Sequence, residues 1–195
     1  MEKSYRLYVK LLGDTSQEEL DAAIAALPEW RREKAMRFKH EQGRKECTFA
    51  YLLLCQALRE VYGIKEQPEF AIGEHGKPSL AGHPNIHFNL SHCKKAVTCV
   101  VADVPVGVDV ESLGRYNESL ARHVFNDVEM GSILSATDPQ LPFTRLWTQK
   151  EAIVKLTGRG IDDDLKNLLI KYNNVSLHTE EHLADGFILS VATFM

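Results

Sequence analysis

Several features are missing from this chain, and each absence narrows what the protein can be. No apolar run approaches the roughly 20 residues that a membrane-spanning helix needs, and the first residues lack the apolar stretch of a signal peptide. The four cysteines form no C-x-x-C pair, so we expect small buried thiols in reduced form rather than a metal or redox centre. These absences predict a cytoplasmic protein with no membrane partner.

The chain as a whole also lacks a large net charge of either sign. The net charge is only −4, which argues against a nucleic-acid partner. Residues 31–45 are the exception, because they carry seven Lys or Arg side chains against two Glu. A patch of this kind suits a phosphorylated ligand or an acidic protein, although a solvated helix face would show the same pattern.

The order of predicted elements repeats along the chain. Each half has a strand, then three helices, then three strands, and no linker or low-complexity segment separates the halves. The strands are predicted at residues 5–12, 70–72, 86–90, 96–102, 106–110, 168–172, 175–178 and 187–192. We therefore expect an α+β fold of two similar halves, residues 1–102 and 103–195, that pack closely together.

Two carboxylates lie two residues apart in the segment G-V-D-V-E, residues 107–111. Because side chains alternate across a strand, Asp109 and Glu111 share one face, and Gly107 would let a ligand or backbone approach closely. Mg²⁺ in proteins commonly takes one or two carboxylates together with substrate phosphates. The simpler alternative for this segment is a half-buried strand with a solvated acidic face.

A third carboxylate lies on the long helix of the second half, in W-T-Q-K-E-A-I-V-K. Glu151 and Lys155 are four residues apart and share a helix face. Such pairs are usually surface salt bridges, but this helix is largely apolar, and Lys150 adds a second cation. Three carboxylates and a lysine in one cleft would form a magnesium site with a phosphate partner.

Two turns offer further phosphate contacts. Ser91 and His92 end the predicted strand in F-N-L-S-H, where the chain turns. Adjacent residues seldom have the geometry of a nucleophile and its base, and no G-x-S-x-G motif is present, so a Ser-His hydrolase is not favoured. Lys77 lies at the tip of a glycine-rich turn, which taken alone would be an ordinary hairpin.

Taken together, G-K-P, F-N-L-S-H, G-V-D-V-E and W-T-Q-K-E-A-I-V-K resemble, in order and spacing, the 4′-phosphopantetheinyl transferase superfamily of the Sfp-like kind, over about residues 73–161. The resemblance implies a monomer whose two α+β halves are related by a pseudo-twofold axis, with coenzyme A between them. It implies Mg²⁺-dependent transfer of phosphopantetheine to a serine of an acidic acyl or peptidyl carrier protein, as by a holo-acyl-carrier-protein synthase. Adenosine 3′,5′-bisphosphate would be the second product.

The resemblance also implies which residues of the second half take part. Asp109, Glu111 and Glu151 would hold the metal, and Glu151 has an alternative role as the base that deprotonates the incoming serine. Lys155 would neutralise the pyrophosphate or the leaving group. Glu129 falls where the family often has an acidic residue, and no role is assigned to it.

Residues of the first half would bind coenzyme A. The resemblance implies that Ser91 and His92 hold the 3′-phosphate and that Lys77 lies beside the nucleotide. Arg44 or Lys45 would contact a phosphate, and the match does not choose between them.

Two other functions are compatible with the same residues. A binding module would hold coenzyme A or a carrier protein without transfer, but such a protein has no need of the full set of three carboxylates and a lysine. A magnesium-dependent phosphodiesterase or nuclease on another fold is the second alternative, and the net charge of −4 argues against nucleic acid.

Overall fold

The computed structural model describes residues 4–73, 75–114, 116–160 and 164–195. The strands are β1 Tyr5–Leu11, β2 Phe70–Ile72, β3 Pro78–Leu80, β4 His87–His92, β5 Ala96–Ala102, β6 Val106–Ser112, β7 Val175–His182 and β8 Phe187–Phe194. The helices are α1 Gln17–Ala25, α2 Glu29–Met36, α3 Glu41–Tyr62, α4 Glu118–Val124, α5 Asp127–Ser135, α6 Gln140–Thr157 and α7 Leu168–Lys171. A 3-10 turn, Leu165–Asn167, precedes α7.

Two antiparallel sheets have the same strand order. The first sheet has the order β1-β5-β4 and the other has the order β6-β8-β7. In each sheet the central strand is the last one of that half, and it pairs with the first strand on one side and with the strand that precedes it in the chain on the other. One long helix accompanies each sheet, α3 in the first and α6 in the second. This shared topology confirms the predicted α+β fold of two similar halves. Strands β2 and β3 form a separate hairpin.

Both long helices end at a glycine in the left-handed conformation. Gly63 follows α3 with φ 70°, and Gly158 follows α6 with φ 66°. Glycine is favoured there because it adopts positive φ without the steric cost that a Cβ atom brings. The ends of α3 and α6 are therefore fixed by the local sequence.

The two sheets meet along strands β4 and β6. One apolar cluster runs across the boundary, from Val100 of β5 to Val108 of β6 and Leu189 of β8. Side chains of β4 also bind the backbone of β6: Asn89 Oδ1 accepts from the Val108 amide at 2.9 Å, and Ser91 Oγ accepts from the Val110 amide at 3.2 Å. This seam fixes β6 beside β4. The division into units of residues 1–102 and 103–195 stays a prediction.

Two details of the predicted strands are wrong. Residues 168–171 form helix α7 rather than a strand, so the described residues of the second half contain one strand fewer than expected. A short apolar run does not distinguish helix from strand by periodicity, and here Leu168 is buried against helix α6. The short strand β3 was not predicted, and it gives the first half one strand more.

The four thiols are free, and three of them are buried. No helix within the described ranges is long and apolar enough to cross a membrane.

Candidate functional site

Strand β6 passes helix α6 at a distance that only glycine allows. A Cβ atom added at Gly107 would overlap the carbonyl oxygen of Ala152 and the amide nitrogen of Leu156, and would lie 2.9 Å from the Leu156 Cα atom. The backbone that approaches Gly107 is therefore that of the helix. This contact holds the acidic residues of β6 next to positions 151 and 155 of α6.

We expect Gly107→Ala to lower the free energy of unfolding by about 3 kcal/mol, the upper range for overpacking, because the clash is with backbone atoms. Urea unfolding of the purified variant measures this. The matched control is Gly131→Ala in helix α5, where nothing lies within 4 Å of an added Cβ atom. Equal stability of the two variants would contradict the close approach of β6 and α6.

Three residues from separate elements form a largely buried hydrogen-bonded cluster. Asp109 of β6 is only 4% exposed. Its Oδ1 atom accepts from Lys155 Nζ at 2.6 Å and from the Ser91 hydroxyl at 2.9 Å. Lys155 Nζ also donates to Ser91 Oγ at 2.8 Å. Strand β4, strand β6 and helix α6 thus bring together a carboxylate, a hydroxyl and an ammonium group that lie far apart in the chain.

The second oxygen of the same carboxylate has a different environment. Asp109 Oδ2 is buried and has no hydrogen-bond partner among the residues that the structure describes. A buried carboxylate oxygen without a donor is costly, and such atoms occur where an ion or ligand completes the site. A cation bound next to Asp109 Oδ2 would therefore stabilise this oxygen, which could serve as its ligand.

Glu151 and Glu111 add negative charge beside Asp109. Burial raises the pKa of Glu151 above its usual value, the carboxylates of Asp109 and Glu111 raise it further, and the Lys155 ammonium group opposes them. Glu111 Oε1 accepts a hydrogen bond from Trp147 Nε1 at 3.3 Å. Three carboxylates in one region repel each other, and a bound cation would relieve that repulsion.

In residues 4–73, 75–114, 116–160 and 164–195, no three side chains of His, Cys, Asp or Glu are arranged to hold a metal ion by themselves. Mg²⁺ commonly retains water and binds one or two carboxylates together with substrate phosphates. The oxygen donors of Asp109, Glu111 and Glu151 match that chemistry. A magnesium site formed by these three carboxylates and completed by a phosphate ligand stays a prediction.

The expectation that Lys150 adds a second cation to this region is wrong. Its side chain is 1% exposed, forms a 2.8 Å ion pair with Glu129, and donates to three backbone carbonyl groups. Glu129 also accepts from the Asn126 amide at 3.0 Å, which completes a capping box at the start of α5. Both residues therefore have structural partners, on the opposite side of α6 from Lys155.

A large cavity lies in the first half. It encloses about 890 Å³ between α2, α3, the β2–β3 hairpin and β4. Aromatic side chains such as Phe70 and Phe88 form part of its wall. The acidic and basic residues that line it are Arg31, Lys34, His92, Glu46 and Glu69. Arg31 Nε is buried without a hydrogen-bond partner in the described part of the chain. Aromatic side chains beside an arginine and a lysine suit a phosphorylated aromatic ligand.

The sequence pattern indicates the basic patch but does not distinguish Arg31 and Lys34, the two members of it that line the cavity. The two residues expected to contact a phosphate lie elsewhere. Arg44 Nε donates to the Phe38 carbonyl at 3.0 Å, and Lys45 Nζ donates to the Thr15 carbonyl at 2.8 Å. Neither lines the cavity, and a phosphate contact for Arg44 or Lys45 stays a prediction.

Ser91 and His92 diverge, although they are neighbours in the chain. Ser91 is buried in the seam with Asp109, whereas His92 is exposed and lines the cavity. The His92 Nδ1 atom lies 3.2 Å from Glu46 Oε2, which is also a cavity residue. Side chains of adjacent residues in β4 point to opposite faces, which explains the separation. Strand periodicity in the sequence is the signal that predicts it. A shared 3′-phosphate contact stays a prediction.

Lys77 extends away from its turn toward helix α6. Its Nζ atom donates to the carbonyl groups of Lys155 at 2.6 Å, Leu156 at 3.0 Å and Val106 at 3.3 Å. Burial lowers the pKa of this ammonium group. The position beside a nucleotide that was expected for Lys77 stays a prediction.

Two family models match the chain in succession. The first, described as "4′-phosphopantetheinyl transferase, N-terminal", matches residues 14–104. The second, described as "4′-phosphopantetheinyl transferase superfamily", matches residues 105–188 and so includes the carboxylates of β6 and α6.

Individual relatives show the same similarity. The 4′-phosphopantetheinyl transferase ffp of Bacillus subtilis is 31% identical over 192 residues, which cover 95% of this chain and 85% of the relative. The 4′-phosphopantetheinyl transferase Sfp of Bacillus subtilis (strain 168) is 28% identical over 172 residues, or 87% of this chain and 76% of the relative. A further 4′-phosphopantetheinyl transferase of Bacillus subtilis is 28% identical over 187 residues, with 94% and 82% covered.

Proposed function

Because the chain belongs to the 4′-phosphopantetheinyl transferase superfamily, we propose that it transfers 4′-phosphopantetheine from coenzyme A to a serine of an acyl or peptidyl carrier protein. The serine oxygen bonds to the phosphorus that bears pantetheine, the pyrophosphate bridge breaks, and adenosine 3′,5′-bisphosphate leaves. The serine proton passes to a base. The observation that carries the proposal is the cluster of Asp109, Ser91 and Lys155 beside Glu151.

Magnesium is the metal that we propose for the site. Asp109, Glu111 and Glu151 would hold it, and when bound it neutralises charge on the pyrophosphate of coenzyme A. Support comes from the buried Asp109 Oδ2 atom, which has no donor within the described part of the chain, and from the mutual repulsion of the three carboxylates.

Lys155 and Glu151 are the proposed catalytic residues. The Lys155 ammonium group stabilises negative charge as it develops on the leaving phosphate, in a site where burial strengthens the interaction. Two roles are open to Glu151, metal ligand and general base. Burial raises the pKa of Glu151, and this supports the base role only where Glu151 does not itself hold the metal.

We place the nucleotide of coenzyme A at the 890 Å³ cavity. Its aromatic side chains would contact the adenine ring, and Arg31, Lys34 and His92 would bind the 3′-phosphate. Ser91, which is buried in the seam, orients Asp109 and Lys155 in this account. The proposal therefore divides the predicted Ser91–His92 pair between two tasks.

The carrier protein is the second substrate. Arg37 and Lys39 are exposed in the basic patch and would attract an acidic carrier. We propose the Sfp-like type within a monomer, because both similar halves of the fold lie in one chain. A holo-acyl-carrier-protein synthase type is the alternative, and relative rates on acyl and peptidyl carriers distinguish the two. A cytoplasmic location stays a prediction.

Release of adenosine 3′,5′-bisphosphate, followed by liquid chromatography, tests the function. We expect release only when coenzyme A, Mg²⁺ and an apo carrier protein are all present, and none when EDTA removes the metal. A carrier whose acceptor serine is replaced by alanine is the matched control. Release without a carrier would indicate a phosphodiesterase, and binding of coenzyme A without release from any carrier would indicate a binding module; both results contradict the proposal.

A further inference from the structure

The contacts of Lys77 use its whole hydrogen-bonding capacity. An ammonium group has three N–H donors, and Lys77 Nζ has three carbonyl acceptors, at 2.6, 3.0 and 3.3 Å. No donor is left over for a phosphate in this arrangement. The Lys77 side chain therefore binds backbone carbonyl groups of the protein itself.

Two of the three acceptors are carbonyl groups in the last turn of a helix. The carbonyl groups of Lys155 and Leu156 belong to the last turn of α6, which ends at Thr157, so they have no partner within the helix. A cation is also favoured there by the helix dipole. Lys77 thus satisfies and neutralises the C-terminal end of the helix that bears Lys155.

The third acceptor belongs to another element of the proposed site. Val106 is the first residue of β6, the strand that carries Asp109 and Glu111. One ammonium group therefore joins the end of α6 to the start of β6. The stem of Lys77 also lies against Gly158, because a Cβ atom added at Gly158 would be 3.0 Å from Lys77 Cδ.

Lys77 comes from the other half of the fold. It lies in the turn between β2 and β3, and its neighbours Gly76 and Pro78 line the 890 Å³ cavity. The same short segment therefore lines the cavity with Gly76 and Pro78 and contacts α6 with the side chain of Lys77. Lys77 would therefore link a ligand that contacts this turn to α6, the proposed catalytic helix.

We propose that Lys77 is a positioning residue, whose ammonium group clamps the end of α6 to the start of β6 and so holds Lys155 and Glu151 at the carboxylates of β6. The inference rests on the proposed function for its catalytic consequence. The clamp itself rests only on the three hydrogen bonds of Lys77.

The test compares Lys77→Met, which keeps the stem but removes the donors, with Lys77→Arg, which keeps a charged donor. Hydrogen–deuterium exchange of peptides from the last turn of α6 reports the clamp. We expect exchange about tenfold faster in Lys77→Met than in the wild-type chain, with partial rescue in Lys77→Arg. Lys65→Met replaces an exposed lysine of the same half and serves as the control.

Kinetics with coenzyme A, Mg²⁺ and an apo carrier protein report the positioning role. We expect kcat of Lys77→Met, corrected for the folded fraction, to fall about tenfold or more, while the Kd for coenzyme A changes less than about threefold. A rise in Kd with unchanged kcat would indicate direct ligand contact and overturn the role. Unchanged exchange in α6 would overturn the clamp. If the wild-type chain transfers nothing, the proposed function fails, and the exchange measurement still decides the clamp.

Discussion

Asp109→Asn lowers the rate of phosphopantetheinyl transfer by about 10³-fold, the upper range for losing a preorganised charged group in an active site. Asparagine keeps the shape of the side chain and an oxygen that can accept from Lys155 Nζ and the Ser91 hydroxyl. It removes the negative charge and replaces one oxygen with an amide nitrogen that does not bind Mg²⁺. The loss therefore reports the charge and the metal ligand rather than packing.

Initial rates across a range of Mg²⁺ concentrations measure this effect. The matched control is Asp185→Asn, in the exposed turn between β7 and β8, which we expect to retain the wild-type rate. Urea unfolding establishes that both variants are folded. A near wild-type rate for folded Asp109→Asn, at ordinary Mg²⁺ concentration, would refute the metal role of this carboxylate.

Lys155→Met reduces kcat by about 10²-fold, within the range for losing a group that stabilises transition-state charge, while coenzyme A binds with a Kd changed only severalfold. Methionine keeps most of the stem that packs along α6 and removes the ammonium group. That group lies 2.6 Å from Asp109 Oδ1, at the junction of β4, β6 and α6. Its charge matters most when the leaving phosphate becomes more negative, so the rate falls more than binding does.

The split between kcat and binding decides this role. Single-turnover kinetics at saturating coenzyme A give the rate of the chemical step, and isothermal calorimetry gives Kd. Lys65→Met, on an exposed lysine, is the control for loss of a positive charge. Weaker coenzyme A binding with unchanged turnover at saturation would show that Lys155 contributes to ground-state binding alone.

The parts of the site that share an element could be predicted from sequence. Alternation along β6 places Asp109 and Glu111 on one face, and helical spacing brings Glu151 and Lys155 to one side of α6. Gly107 in a valine strand likewise signals a close approach. In each case the signal is a local period, which is the information that a single sequence carries.

The contacts between elements could not be predicted in this way. Lys77 is far in the chain from the carbonyl groups that it binds, and no local pattern records that its donors are all used. Lys150 likewise contacts another element. It is adjacent to Glu151 in the chain, yet the helical rotation between neighbours turns it toward Glu129 on α5. The direction of a long charged side chain depends on the unpaired carbonyl groups and charges around it, which only the tertiary fold brings together.

Intact-protein mass spectrometry of an apo carrier protein, incubated with coenzyme A and Mg²⁺ and either the wild-type chain or Asp109→Asn, tests the central claim most directly. The account predicts that the wild-type chain adds one phosphopantetheine arm, about 340 Da, to the acceptor serine. It predicts no gain with Asp109→Asn over the same time, and no gain for a carrier that lacks the serine. No gain from the wild-type chain on acyl or peptidyl carriers, or an equal gain with Asp109→Asn, would contradict the account.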